Sequence, residues 1–158
     1  MKNFHLALLL IIVLPFSKAL HAQEKGVYKA LASNNVKTID KQLAALEKSN
    51  ATEDEAYKGT LLMKKAGLVK GPGKKLKIFK EGRLKLEKAI DNHKDNGEYR
   101  FLRLMIQENA PGILGYNKEM DEDLKIVQQK YKSLSSDTRD AILSYSKTSK
   151  KLKAASLE

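Results

Sequence analysis

Apolar residues recur along this chain every three or four positions between polar interruptions, and no stretch alternates with a period of two. That pattern predicts helices throughout and no strand. A short helix is expected over residues 24–33, with Val27, Tyr28 and Leu31 on one face. Asn34 and Asn35 are placed to cap a second helix, in which Val36, Ile39, Leu43 and Leu46 are spaced 3, 4 and 3. Ser49-Asn50 ends it. Thr52 and Glu55 form a capping box for a third, which runs to Ala66, where Gly67 is placed to stop it. Gly71-Pro72-Gly73 predicts a loop. Residues 75–92 form the clearest amphipathic helix. Leu76, Ile78, Phe79, Gly82, Leu86, Ala89 and Ile90 share its apolar face, and Arg83 sits at the edge with its stem able to lie on the core. Asp95-Asn96-Gly97 opens a helix over residues 98–108 that is apolar almost all round, the pattern of a central helix. Only Arg100, Arg103 and Gln107 form a polar stripe on it. After the breaker Asn109-Ala110-Pro111-Gly112 come Ile113, Leu114, Gly115 and Tyr116. A further helix from about residue 118 turns Met120, Leu124, Val127 and Tyr131 inward. A last one is capped by Ser135 or Ser136, with Ala141, Ile142, Tyr145 and Leu152 inward. The basic tail from Lys147 to Lys153 is expected to fray.

Short connections between successive helices imply antiparallel neighbours. The expected fold is therefore a single all-α domain of five or six helices stacked as hairpins. Within it, Phe79-x-x-Gly82, Leu86-Glu87-Lys88-Ala89-Ile90 and Asp95-Asn96-x-Glu98 resemble the second helix of a tetratricopeptide repeat and the start of the next. Such repeats are helix pairs that stack through small and bulky residues at set positions. The resemblance covers roughly 20 residues, has no second copy one repeat further on, and has Lys94 where that family often carries proline. Residues 98–103 and 111–116 are also similar to small exported helical bacterial proteins of no assigned activity. The repeat resemblance implies a protein-binding surface rather than catalysis.

The first residues follow another logic. Lys2 precedes an apolar run from Phe4 to Leu14, broken only by His5, then Pro15 and a more polar stretch to Ala22. This is the order of a secretory signal peptide, and the run is too short for a stable membrane span of about 20 residues. Residues 1–22 are expected to be removed after Ala22, with Ala19 as the alternative site, leaving residues 23–158 as one helical domain without a transmembrane anchor. There is no cysteine among the 158 residues, so no disulfide, thiolate nucleophile or lipidated cysteine is available. Export from a bacterium, to the periplasm or beyond, fits that absence.

The formal net charge is +11. Between Lys64 and Lys88 there are ten basic residues and only two acids, Glu81 and Glu87. Lys74, Lys77, Lys80, Lys85 and Lys88 are expected along one helix face, where they make a candidate site for an anionic polymer or lipid surface. No aromatic residue is interleaved with the lysines on the exposed side for base stacking, so no specific nucleic acid is expected. Arg100, Arg103 and Gln107, with Tyr116, are the candidate partner-binding residues. Two guanidinium groups can clamp a carboxylate, such as a peptide terminus, or be consumed by an internal acid such as Glu98 or Glu108. Catalysis has little to work with. Once the leader is removed, His93 is the one remaining histidine, at a helix end that complements the dipole. Glu119, Asp121, Glu122 and Asp123 lack calcium-loop spacing, and Lys70-Gly71-Pro72-Gly73-Lys74-Lys75 lacks phosphate-loop spacing. The sequence thus predicts a non-enzymatic interaction module with no metal and no cofactor. Its leading partner is a protein or peptide, and the alternative is an anionic polymer or membrane surface.

Overall fold

A computed structural model describes residues 16–49 and 54–157, and side chains from residue 22. Most of the expected leader, and the Thr52 half of the expected capping box, lie outside the described residues. Every described element is helical: α1 (Phe16–Ala32), α2 (Val36–Glu47), α3 (Asp54–Leu68), α4 (Pro72–Asn92), α5 (Gly97–Asn109), α6 (Met120–Lys130) and α7 (Ser136–Ser146), with three short 3-10 turns at Gly112–Leu114, Tyr131–Ser133 and Ala154–Ser156. Among the described residues there are seven α-helices where a domain of five or six was expected, and the first of them, expected as a short helix over residues 24–33, begins at Phe16. Among the described residues, no helix is long and apolar enough to cross a membrane.

Several boundaries follow from caps that the sequence announces. The Asn35 side chain accepts from the Lys37 and Thr38 amides, and Asn96 accepts from those of Glu98 and Tyr99. Two expected breakers behave otherwise. Gly67 lies inside α3, which runs on to Leu68. Pro72 is the first residue of α4, a position where its missing N–H costs nothing, so Gly73 is helical too. Only Gly71, at φ 88°, needs the left-handed freedom of glycine there.

The α3–α4 pair is the tightest in the molecule. Glu55 at the start of α3 meets Lys85 late in α4 at 2.9 Å, so the two helices run antiparallel. They touch backbone to backbone: a Cβ added at Gly82 would lie 2.5 Å from the Gly59 carbonyl oxygen, and one at Gly59 would lie 2.6 Å from that of Gly82. Helices α5 and α6 form a second antiparallel pair. Helix α5 is central, as its all-round apolarity predicts. Leu102 and Ile106 join a core with Val27, Ile39, Leu61 and Leu86, whereas Phe101 and Leu104 join another with Val127 and Ile142.

The tail does not fray. Leu152 and Leu157 are buried in the second core. Glu108 accepts the amides of Lys150 (2.8 Å) and Lys151 (2.9 Å) and the hydroxyls of Tyr145 and Ser149 (both 2.6 Å). Burial alone would raise the Glu108 carboxyl, but these four donors hold it below its usual range.

Candidate functional site

The four candidate partner-binding residues come together, and their polar groups meet acids of the same chain. Asp123, fully buried, accepts from Arg100 Nη1 at 3.0 Å and from Arg103 Nε and Nη2 at 2.7 Å each. Arg103 Nη1 donates to Glu87 at 2.7 Å, and Arg100 also faces Glu122 at 3.2 Å. Glu87 in turn accepts the Tyr116 hydroxyl at 2.5 Å, and Gln107 donates to Glu119 at 2.8 Å. Arg100, Arg103, Gln107 and Tyr116 are all buried. The carboxylate that the two guanidinium groups clamp is Asp123, so this network ties α5 to α6 and α4. Burial pulls the Arg103 guanidinium down, but the bonds and charge of Asp123, helped by Glu87, raise it above its ordinary value.

The acids expected for that pairing, Glu98 and Glu108, are engaged elsewhere. Glu98 lies two residues from Arg100, which on a helix is the far side of the axis. Burial pushes the Tyr116 phenol well above its usual range, and its bond to Glu87 adds to the shift. Its ring meets Phe79 edge-on at 5.6 Å and carries the Arg83 guanidinium at 4.7 Å.

The lysine face of α4 is only partly as expected. Lys74, Lys77, Lys80 and Lys88 are exposed, with Glu81 and Leu84 among them. Lys85 is half-buried and paired with Glu55, which raises the Lys85 ammonium and lowers the Glu55 carboxyl.

A feature the sequence did not announce lies at the other edge of α4. The end of α3, the start of α4 and the segment from Ile106 to Leu114 enclose an open cleft of about 500 Å³. Met63, Ala66, Leu68, Phe79, Ile106 and Leu114 supply much of its apolar wall. Ile113 stands on the turn between Pro111 and Gly115, and 95% of it is exposed. Leu76, expected in the core, is 42% exposed at the same cleft. The apolar period holds at Leu76, but at the start of α4 this face opens onto the cleft rather than being covered by another helix.

A second cluster joins α1, α3, α5 and α7. Tyr28 and Tyr57 donate to Glu98 Oε1 at 2.6 and 2.8 Å, and Thr138 lies 3.1 Å from the same oxygen. Ser135 and Thr138 also donate to the buried Glu24. Burial pushes the Glu98 carboxyl above its usual range and Glu24 reinforces this, offsetting the hydroxyl bonds. Beside the cluster, an open cleft of about 950 Å³ has both lysines and aspartates on its walls, among them Lys25, Lys29, Asp137 and Asp140.

Among the described residues, no group of three or more His, Asp or Glu is arranged to hold a metal. The acids of residues 119–123 disperse instead onto Gln107, Lys151, Arg100 and Arg103. His93 caps the end of α4, exposed, with its ring 6.1 Å from that of Tyr99. Comparison with known proteins returns no matching family model, curated protein or solved structure.

Proposed function

We propose that this chain is an exported, non-enzymatic interaction module that takes a protein or peptide segment into the cleft between α3, α4 and the Ile113 turn. The observation that carries the reading is Ile113, almost wholly exposed beside an apolar wall. Leaving such a side chain in water forgoes about 1.5–3 kcal/mol that covering it would return. The α3–α4 and α5–α6 pairs fit a tetratricopeptide-like stack of hairpins, with Gly59 and Gly82 as the small residues that permit close approach. Export rests on the Lys2-led apolar run.

Two measurements test this. The protein purified from its own cells should begin at Gln23, or at Leu20, by N-terminal sequencing. A start at Met1 with recovery from the cytosol would overturn export. A photoreactive residue at position 113 should capture a discrete partner in intact cells, and Leu76→Asp should abolish the capture.

The alternative, an anionic polymer or membrane surface held by α4, is favoured by the exposure of Lys74, Lys77, Lys80 and Lys88. It predicts salt-sensitive retention on heparin that falls when Lys77 and Lys80 are changed to Gln.

A further inference from the structure

The charges around the cleft narrow the kind of segment that fits it. No aspartate or glutamate lines it, although the chain carries 19 acidic residues. Two lysines do, on neighbouring helices: Lys64 on α3 and Lys75 on α4. Other lysines of α3 and α4 are committed. Lys65 pairs with Asp40 at 2.6 Å, Lys58 with Glu55 at 3.3 Å and Lys85 with Glu55 at 2.9 Å. Among the described residues neither Lys64 nor Lys75 is paired with a carboxylate; Lys64 reaches only the neutral Asn34 amide oxygen, at 3.3 Å. Exposed Lys74 and Lys77 extend the positive field along the α4 side. An apolar lining that carries two cations and no acid complements a ligand whose apolar side chains stand next to carboxylates.

We infer that the occupant is a peptide segment of a partner protein in which two or three apolar side chains are flanked by aspartate or glutamate. The apolar side chains enter beside Ile113 and Leu76, and the flanking carboxylates meet Lys64 and Lys75. The open side of the cleft leaves the peptide backbone in water, where its polar groups stay solvated, and that favours a peptide over a lone acyl chain. This inference rests on the cleft being the binding site, and adds the charge of what binds.

A random peptide library displayed on phage, selected against the full chain and counter-selected against its Ile113→Asp variant, tests both levels. Ile113 is exposed, so the variant keeps the fold, which circular dichroism checks. Enrichment of apolar peptides flanked by Asp or Glu is the expected result. The best of them, made synthetically and labelled, should lose roughly tenfold in affinity when its acids become amides, and about as much with Lys64→Gln/Lys75→Gln. Higher salt should weaken it, and Leu76→Asp should abolish binding. Ile113-dependent peptides without acidic enrichment would overturn the charge inference and leave the module intact. No Ile113-dependent enrichment would overturn both. Phosphatidylglycerol vesicles that bind in an Ile113-dependent way, where peptides do not, would replace the peptide with a lipid surface and overturn the proposal.

Discussion

Replacing Asp123 by alanine should be among the most damaging single changes in this molecule. Its side chain is fully shielded from water and takes three hydrogen bonds from Arg100 and Arg103, themselves buried. Alanine would leave two guanidinium groups in the interior with one good acid, Glu87, on Arg103 and the exposed Glu122 on Arg100. Stranding a buried charge in this way costs about 3–5 kcal/mol. At roughly 4 °C of melting temperature per kcal/mol for a chain of this size, Asp123→Ala should melt about 12–20 °C below the parent. Glu122→Ala, at the rim of the same network, should cost no more than about 0.5 kcal/mol. Thermal and urea unfolding followed by far-UV circular dichroism measure both. Changing Arg100, Arg103, Asp123 and Glu87 together to Leu, Met, Leu and Gln should recover most of the loss, since the charges buried in the network then disappear as a set. A loss below about 1 kcal/mol for Asp123→Ala, or equal losses for Asp123→Ala and Glu122→Ala, would refute the argument that burial sets the cost.

The glycines offer a matched pair. Gly67→Ala, with open space around the new methyl, should stabilise α3 by about 0.5–1 kcal/mol, whereas Gly82→Ala should cost a net ~1–2 kcal/mol because its methyl meets the Gly59 backbone; urea midpoints decide both signs. Glu98→Gln should stabilise the fold at neutral pH. With its carboxyl raised by burial, Glu98 contributes most below the ordinary glutamate range, and that contribution is lost as pH rises through its folded value. The melting temperature of Glu98→Gln minus that of the parent should therefore grow from pH 4 toward pH 8, and a flat or falling difference would show that Glu98 is ionised without penalty. Glu108→Gln should act in the opposite sense. It removes a carboxylate held below its usual range, so the variant should lose stability above the ordinary glutamate range and match the parent in acid.

The helices were legible because their signals are local. Asn35 and Asn96 cap where they stand, and the apolar periods mark α2, α4 and α5. The polar stripe on α5 was also legible as a group, and Tyr116 does join it through Glu87. Its partner was not legible, because Asp123 is 20 residues from Arg103 and reads like any other acid of a helix's first turn. Only the packing of α6 on α5 singles it out. The cleft was hidden for a related reason. Leu76 carries the right period for the core, and periodicity says which face is apolar but not whether another element covers it. The tail misled through composition. Lysines at 147, 150, 151 and 153 suggest a solvated end, while Leu152 and Leu157 between and beyond them, with Glu108 42 and 43 residues from the amides it accepts, decide the outcome.

That docked tail has a bearing on when the molecule can finish folding. Phe101, Leu104, Val127 and Ile142 share their core with Leu152 and Leu157, so the second core stays open until residue 157 has been made. A protein built this way is late to become compact. Under the export proposed above, such lateness would keep the chain passable through a narrow channel until it has crossed.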